Sequence, residues 1–316
     1  MRRVFGLILI GVGVLCLVLA PMLKFYAAPK LAVAPLDLDP AKPSTNSGVA
    51  TKLLDLATLT ERTNVPLTSI RFTRSDIAAT QQAGGNNAVY DSFSRVNDDK
   101  GQLVTASTER YAFDRTNDIL ITGYGSNVDG KALTEDMISG DAIMPLKMPF
   151  NLDKNKSYNF FDTSLMKGYP VTFTDEEQLD GLTVYKYEAT IPATQIGEQE
   201  GVAALVGSTD PNYKAGRFYA NHRVLYAEPL TGQIVDGSED QLQTLRGPDG
   251  TAKITIIQGK LGFTPEYKAQ SIAEAKTNSA KLALISNTIP MGAFILGILT
   301  LLGGILLLRR PSDAEV

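Results

Sequence analysis

No residue between Val4 and Leu23 carries a charge, and none does between Leu282 and Leu308. A helix rises about 1.5 Å per residue, so roughly 20 apolar residues cross the ~30 Å hydrocarbon core of a bilayer. Both runs meet that length, the second most clearly over Ile289–Leu308. Two spans at opposite ends constrain everything between them. The middle of the chain has to fold outside the bilayer, on one side of it.

Charge around the two runs is mirrored. Arg2 and Arg3 precede the first, and Arg309 and Arg310 follow the second. Basic flanks are retained in the cytoplasm. The expectation is a plasma-membrane protein with both termini cytoplasmic and an extracytoplasmic middle. Lys24, Lys30, Lys276 and Lys281 fall on the expected outer side, where translocation of a large domain overrides the charge rule. Phe25 and Tyr26 suit the interface. Gly11, Gly13, Gly292, Gly297, Gly303 and Gly304 suit membrane helices, and permit close contact with each other, a second copy or another membrane protein. The rival reading of the first run is a cleaved signal peptide, with Ala32-Val33-Ala34 as the cut. Against it, the apolar run is longer than a usual signal core, and Pro35 would follow the cut.

The segment 28–48 is rich in proline and polar residues and reads as an extended stalk. Beyond it the dominant signal has period two. Ile70 and Phe72, Tyr111 and Phe113, Val171 and Phe173, and Ile254 and Ile256 each alternate with polar neighbours. In LTVYKYEA, Val184 has one parity and Tyr185, Tyr187 and Ala189 the other. Such alternation marks half-buried strands. Turns separate them at 97–101, Asp180-Gly181, 228–232 and 248–250, so RVLYAEPLTGQIVDG reads as strand, turn, strand. ATKLLDLATLTERT fits a strand or a helix. Thr264, Pro265 and Glu266 open a clear helix, as N-cap, first position and first-turn acid. Pro290 marks a kink or the membrane entry.

The predicted fold class is therefore a mainly β ectodomain, antiparallel and barrel- or sandwich-like, α+β in detail, flanked by N- and C-terminal transmembrane helices. The predicted divisions are a cytoplasmic 1–3, a span over 4–23, a stalk over 24–48 and an ectodomain over 49–263. A juxtamembrane helix over 264–284, a span over 285–308 and a cytoplasmic tail over 309–316 complete the chain. No internal repeat is visible.

Chemistry is sparse. Cys16 is the only cysteine, His222 the only histidine, and tryptophan is absent. That argues against disulfides in the middle and against His/Cys metal clusters. The net charge is −4 and the termini carry +2, so the middle carries −6, which opposes nucleic-acid binding. Ser126 in GYGSN misses a nucleophile elbow, and no phosphate or dinucleotide loop occurs. A catalytic His222 or paired surface acids (Asp98/Asp99, Glu135/Asp136, Glu239/Asp240) would make a hydrolase. Asn127, Asp129 and Gly130 form only a fragment of a calcium loop. We expect no catalysis, no metal and no cofactor.

Aromatic residues cluster more suggestively. Tyr158, Phe160, Phe161 and Tyr169 crowd one stretch, and Phe218, Tyr219 and Tyr226 another. They fit a β core, or the lining of an apolar groove for a lipid, glycolipid or polysaccharide; Tyr158, Phe160, Phe161, Tyr169, Phe218 and Tyr219 are the candidate lining residues.

The order of features, and the stretches ERYAFDRTND, PFNLDKNKSYNFFDTSLMKGYPVTFTDEEQLDGLTVYKYEATIP and HRVLYAEPLTGQIVDG, resemble an actinobacterial family of bispanning membrane proteins, the porin PorA family. The resemblance covers nearly the whole chain and implies a cell-envelope protein, but it brings no catalytic residues. Its label implies a porin-like channel component. The residues themselves favour a non-catalytic extracytoplasmic domain that binds or transfers a lipid or glycolipid, with an accessory subunit of a membrane complex as the alternative.

Overall fold

A computed structural model describes residues 2–38, 42–55, 58–138 and 142–309. The chain forms two compact units, Met1–Val33 with Thr277–Val316, and Ala34–Lys276. In chain order it runs α1 (Arg2–Met22), a π-helical turn (Leu23–Ala27), α2 (Ala28–Leu31), β1 (Ser44–Asp55), β2 (Thr60–Ser75), α3 (Ile77–Ala83), β3 (Asn87–Asp98) and β4 (Leu103–Asp114). Short elements follow: β5 (Ile119–Leu120), β6 (Asn127–Val128), β7 (Lys131–Ala132), α4 (Glu135–Ile138), β8 (Ile143–Met144) and β9 (Tyr158–Asp162). Then come β10 (Lys167–Leu179), β11 (Leu182–Gln199), β12 (Ala215–Ala227), β13 (Ile234–Arg246), β14 (Ala252–Phe263) and α5 (Pro265–Ala283). A second π-helical turn (Leu284–Thr288) and α6 (Ile289–Leu308) complete it.

The ectodomain is β-rich, as expected, but neither a closed barrel nor a two-sheet sandwich. Its strands form one 14-stranded sheet in the order β7-β6-β4-β3-β2-β1-β14-β13-β12-β11-β10-β9-β8, with β5 beside β4. All pairings described are antiparallel except β8 with β9. A twisted sheet of more than about 10 strands has to curl, and this one curls onto its own end. Successive residues of β9 face opposite ways. Phe160 and Asp162 meet β12, at the Arg223 guanidinium and the Tyr219 hydroxyl. Phe161 meets Tyr111 of β4 edge to face, with ring centroids 5.6 Å apart. The β9 end thus fills the space between two stretches of its own sheet.

Alternation in the sequence maps onto this arrangement. Tyr111 and Phe113 are buried with Tyr90, Leu120, Ile143 and Phe161. Tyr187, Ala189 and Leu225 form a second cluster with Val171 and Met148. Val184, of opposite parity to Tyr187, is buried against Ile272 and Ala275 of α5. The start of β11, at Leu182 and Val184, is apolar on this face because α5 covers it there, whereas Lys186 and Glu188 further along the same face reach solvent. In the ambiguous ATKLLDLATLTERT, β1 runs to Asp55 and β2 begins at its partner Thr60, with residues 56 and 57 outside the described set.

The stalk expected over 24–48 is not an extended tether. Its first residues continue the helix through Leu31. Ala34 donates its backbone amide to the Arg115 carbonyl, and Arg115 Nε donates to the Ala34 carbonyl. The Tyr90 hydroxyl donates to the Pro35 carbonyl, and the Leu38 amide donates to Ser75 Oγ. Ala34 and Leu38 join the Tyr90–Phe113 cluster. Residues 32–38 belong to no helix or strand, and their backbone finds partners on the sheet. Residues 39–41 lie outside the described set, and β1 already begins at Ser44.

α5 begins as its cap predicts. The Tyr267 amide donates to Thr264 Oγ1 at 3.2 Å, and Thr264 is itself tied to Thr45. Pro290 does not break the helix. It lacks the amide that would bond four residues back, and the π-helical turn of Leu284–Thr288 precedes it. Two helical stretches, Arg2–Leu31 and Pro265–Leu308, are long and apolar enough to cross a membrane.

Candidate functional site

The six candidate lining residues do not form one groove. Tyr158 and Phe160 face the β11–β12 surface. The Tyr158 ring lies edge to face with Tyr187 at 5.8 Å, and its hydroxyl accepts from the Asp153 amide. Phe160 sits 5.6 Å from the Arg223 guanidinium, and Tyr169, its partner across the strands, donates to the Thr190 carbonyl. Phe161 is buried on the opposite face of β9. Phe218 stands apart, stacked on Arg246 at 3.7 Å. Tyr219 is buried, donating to Asp162 Oδ2 and accepting from Asn221 Nδ2. These residues pack the fold together. None of them lines either of two clefts in the ectodomain, one over β2–β4 and one by the β9–β10 turn.

Around Tyr219 lies a buried ionic network. Arg223 donates to Asp162 at 3.1 Å and to Glu239 at 2.8 Å, and the Asp162 side chain is almost wholly buried. Burial opposes the Arg223 charge. The charges of Glu239 and Asp162 outweigh it and hold the guanidinium firmly protonated, with its pKa raised. Burial also raises the Tyr219 pKa. A second pair, Arg71 with Glu109, lies between β2 and β4, where Ser107 also donates to Glu109.

A third pair was not legible in the sequence. Asp118 follows β4 in a left-handed backbone conformation and is buried. Its Oδ2 accepts from the Lys147 amide at 2.9 Å. Burial pushes its pKa up to about 7, against the pull of the Lys147 charge. Lys147 Nζ donates to the carbonyls of Met148 and Thr231 and lies 3.9 Å from the Phe150 ring centre. Burial lowers its pKa to about 8, opposed by Asp118. Gly232 closes this junction. A Cβ there would stand 2.0 Å from the Met148 carbonyl, and its φ of +70° suits glycine.

The remaining chemistry predicted from sequence is engaged locally. His222 is exposed and lies 3.1 Å from Glu188, which also binds Lys186 and Thr174. Lys186 chiefly holds the Glu188 carboxyl below its ordinary range. Asp98 and Asp99 bind Arg62. In the calcium-loop fragment, Asp129 accepts from the Thr108 amide of β4, and Asn127 from the Gly130 amide within its own turn. The cleft over β2, β3 and β4, at Phe72 and Phe93, has a volume of about 550 Å³. The cleft by the β9–β10 turn, between Lys131, Lys167 and Thr194, has about 350 Å³.

The membrane unit has its own geometry. α1 and α6 pack antiparallel through small residues spaced by seven. Gly6 faces Gly304, and Gly13 faces Gly297. Ala20 and Pro290 are buried in the same phase. A Cβ on Gly13 would lie 2.8 Å from the Leu301 amide nitrogen, and one on Gly304 2.7 Å from the Gly6 carbonyl. A seven-residue repeat gives the left-handed crossing of coiled coils. Gly11, Gly292 and Gly303 meet nothing within 4 Å. The glycines thus divide into those inside this hairpin and those outside it.

An open, mainly antiparallel β sheet and a glycine-packed pair of helices long and apolar enough to cross a membrane define a β-rich protein with two candidate membrane spans. The chain belongs to the Porin PorA family, whose model matches residues 5–306. It is similar to a Porin PorA of Corynebacterium resistens, 23% identical across 100% of this chain and 98% of that protein. A Porin PorA of Corynebacterium amycolatum is 25% identical over 86% of this chain and 85% of its own length.

Proposed function

We propose that this chain is a cell-envelope protein of the plasma membrane that contributes to a porin-like path only as an assembly of several copies. Both termini are read as cytoplasmic, from the mirrored arginines. The ectodomain is read as non-catalytic. The observation that carries the proposal is the packing of α1 on α6. Their backbones approach glycine to glycine, which leaves no lumen within the hairpin.

The ectodomain does not supply the path either. A barrel in lipid must close its sheet and turn an apolar band outward. This sheet is open, its β9 end fills its own interior, and its outer face carries Arg74, Asp91, Lys186, Glu188 and His222. A water-filled path therefore needs several hairpins, and Gly11, Gly292 and Gly303 provide faces on which neighbouring helices can seat closely. The same faces suit the helices of a different membrane protein, the accessory-subunit reading. The lipid-tunnel reading depended on six aromatic side chains that the fold uses in packing.

Planar-bilayer recording of the purified full-length protein, with cross-linking of the same sample, tests the proposal. Conductance is expected to rise more steeply than linearly with protein concentration, and cross-linked multimers to accompany it. Stepwise conductance from samples that cross-link only as monomers would overturn the assembly reading. Silent membranes would leave the accessory role in its place.

A further inference from the structure

The cleft over β2, β3 and β4 is lined by aromatic, polar and charged side chains. Phe72 and Phe93 are directly opposite each other across β2 and β3. They are 37% and 42% exposed and take no part in the neighbouring core clusters. Two large rings left about 40% exposed on adjacent strands forgo part of the burial that normally stabilises such side chains. Around them stand Arg74, Asp91, Thr108 and Asn127. No aliphatic side chain lines the cleft.

That composition selects among ligands. A lipid tail or an amphipathic helix is matched by aliphatic walls, which are missing. A saccharide is matched by flat aromatic rings and a polar rim. One face of a sugar ring presents polarised C–H bonds to the negative face of an aromatic ring, while its hydroxyls point sideways to donors and acceptors. The cleft volume of about 550 Å³ lies within the usual range of ligand sites.

Charge narrows the class further. Arg74 has a 69% exposed side chain, and its contact with Asp91 is loose at 3.6 Å. Arg110 satisfies Asp91 more closely, at 2.8 Å. Arg95 lies two residues beyond Phe93 on the same strand face and has no ion pair among the described residues. The guanidinium of Arg74 is thus left with donors for a carboxylate or phosphate, which arginine grips with two parallel hydrogen bonds.

We propose that this face is a carbohydrate-binding site, with Phe72 and Phe93 as the stacking platform and Arg74 as the receiver of an acidic group on the saccharide. The site is separate from the membrane hairpin and does not depend on the pore reading.

The full-length protein in detergent is applied to a glycan array carrying neutral and acidic oligosaccharides, and the strongest binder is then titrated by calorimetry. Acidic oligosaccharides are expected to lead. Phe93→Ser should weaken the binder at least about tenfold, the loss expected of a central aromatic contact. Arg74→Met should narrow the margin between acidic and neutral sugars and leave neutral binding in place. Both positions lie on the exposed face, and circular dichroism checks that the variants fold. A blank array overturns the proposal, as does a Phe93→Ser protein that binds like the parent. Light scattering on the same samples covers the competing occupant: dimers that Phe93→Ser dissolves would assign the face to a second copy of this chain.

Discussion

Buried charge dominates at the scale of single residues. Asp118 holds its proton up to about pH 7, far above the ordinary carboxylate range, because burial disfavours its anion. The folded state therefore binds this proton more tightly than the unfolded chain, and stability falls as pH rises from the ordinary range to about 7. Lys147 adds the opposite slope, with stability rising above about pH 8 as the unfolded chain's lysine remains protonated and the buried one does not. Urea titrations of the ectodomain should thus show higher stability at pH 5 than at pH 7.5. A tenfold difference in proton affinity between folded and unfolded states is worth about 1.4 kcal/mol, so the change should reach a few kcal/mol. Asp118→Asn keeps an acceptor for the Lys147 amide and tolerates the left-handed backbone, so it should flatten the slope between pH 5 and 7.5. An unchanged slope would remove Asp118 as its source. Arg223→Met acts differently: it leaves Asp162 buried without its cation and should destabilise the ectodomain by about 3–5 kcal/mol. Neither pair was legible in the sequence. Asp118 and Lys147 are 29 residues apart, and Arg223 and Asp162 are 61 apart. No spacing rule links residues brought together by sheet curling.

Single elements were far more legible. Period-two alternation located β2, β4, β10, β11 and β14, because the two-residue repeat of a strand shows in the sequence alone. The turn at 228–232 and the cap at Thr264 depend on their own few residues, so local chemistry was enough to place them. Thr264→Ala should cost about 1 kcal/mol in α5, read from the same urea curves. The aromatic clusters misled for the converse reason. A tyrosine on a strand looks the same whether it lines a groove or packs against β9, and only the curl of the sheet decides. Phe72 read as the buried parity of an alternating strand and Phe93 drew no reading, because nothing in the sequence says that their face is uncovered. Among the membrane glycines, composition could not tell interface from lipid, whereas the packing does. Gly13→Leu should separate α1 from α6, since even a Cβ would lie 2.8 Å from backbone. Gly11→Leu should leave the pair intact, since Gly11 has no neighbour within 4 Å. Disulfide trapping between cysteines introduced on facing positions of the two helices separates these outcomes, with Cys16 first replaced by serine.

Over the whole molecule, the sequence boundaries at 49 and 263 cut through a cooperative structure. The segment Ala34–Leu38 contributes Ala34 and Leu38 to the Tyr90–Phe113 cluster and supplies backbone partners for Arg115 and Ser75. Residues 44–48 pair with β2, and 46–48 also with β14. α5 places Ile272 and Ala275 against Val184 and Val235. A fragment of residues 34–276 keeps all of these, whereas a fragment of residues 49–263 loses them while retaining most of the sheet. Burying one aliphatic side chain contributes about 1.5–3 kcal/mol, and a domain's whole margin is only about 5–15 kcal/mol. The longer fragment should therefore unfold in a single cooperative urea transition. The shorter one should unfold at much lower urea or fail to fold, even though it contains nearly every strand. Equal midpoints for the two fragments would mean that the connecting segments lie on the domain without stabilising it. A lower midpoint for the shorter fragment would make residues 34–48 and 264–276 part of the ectodomain core.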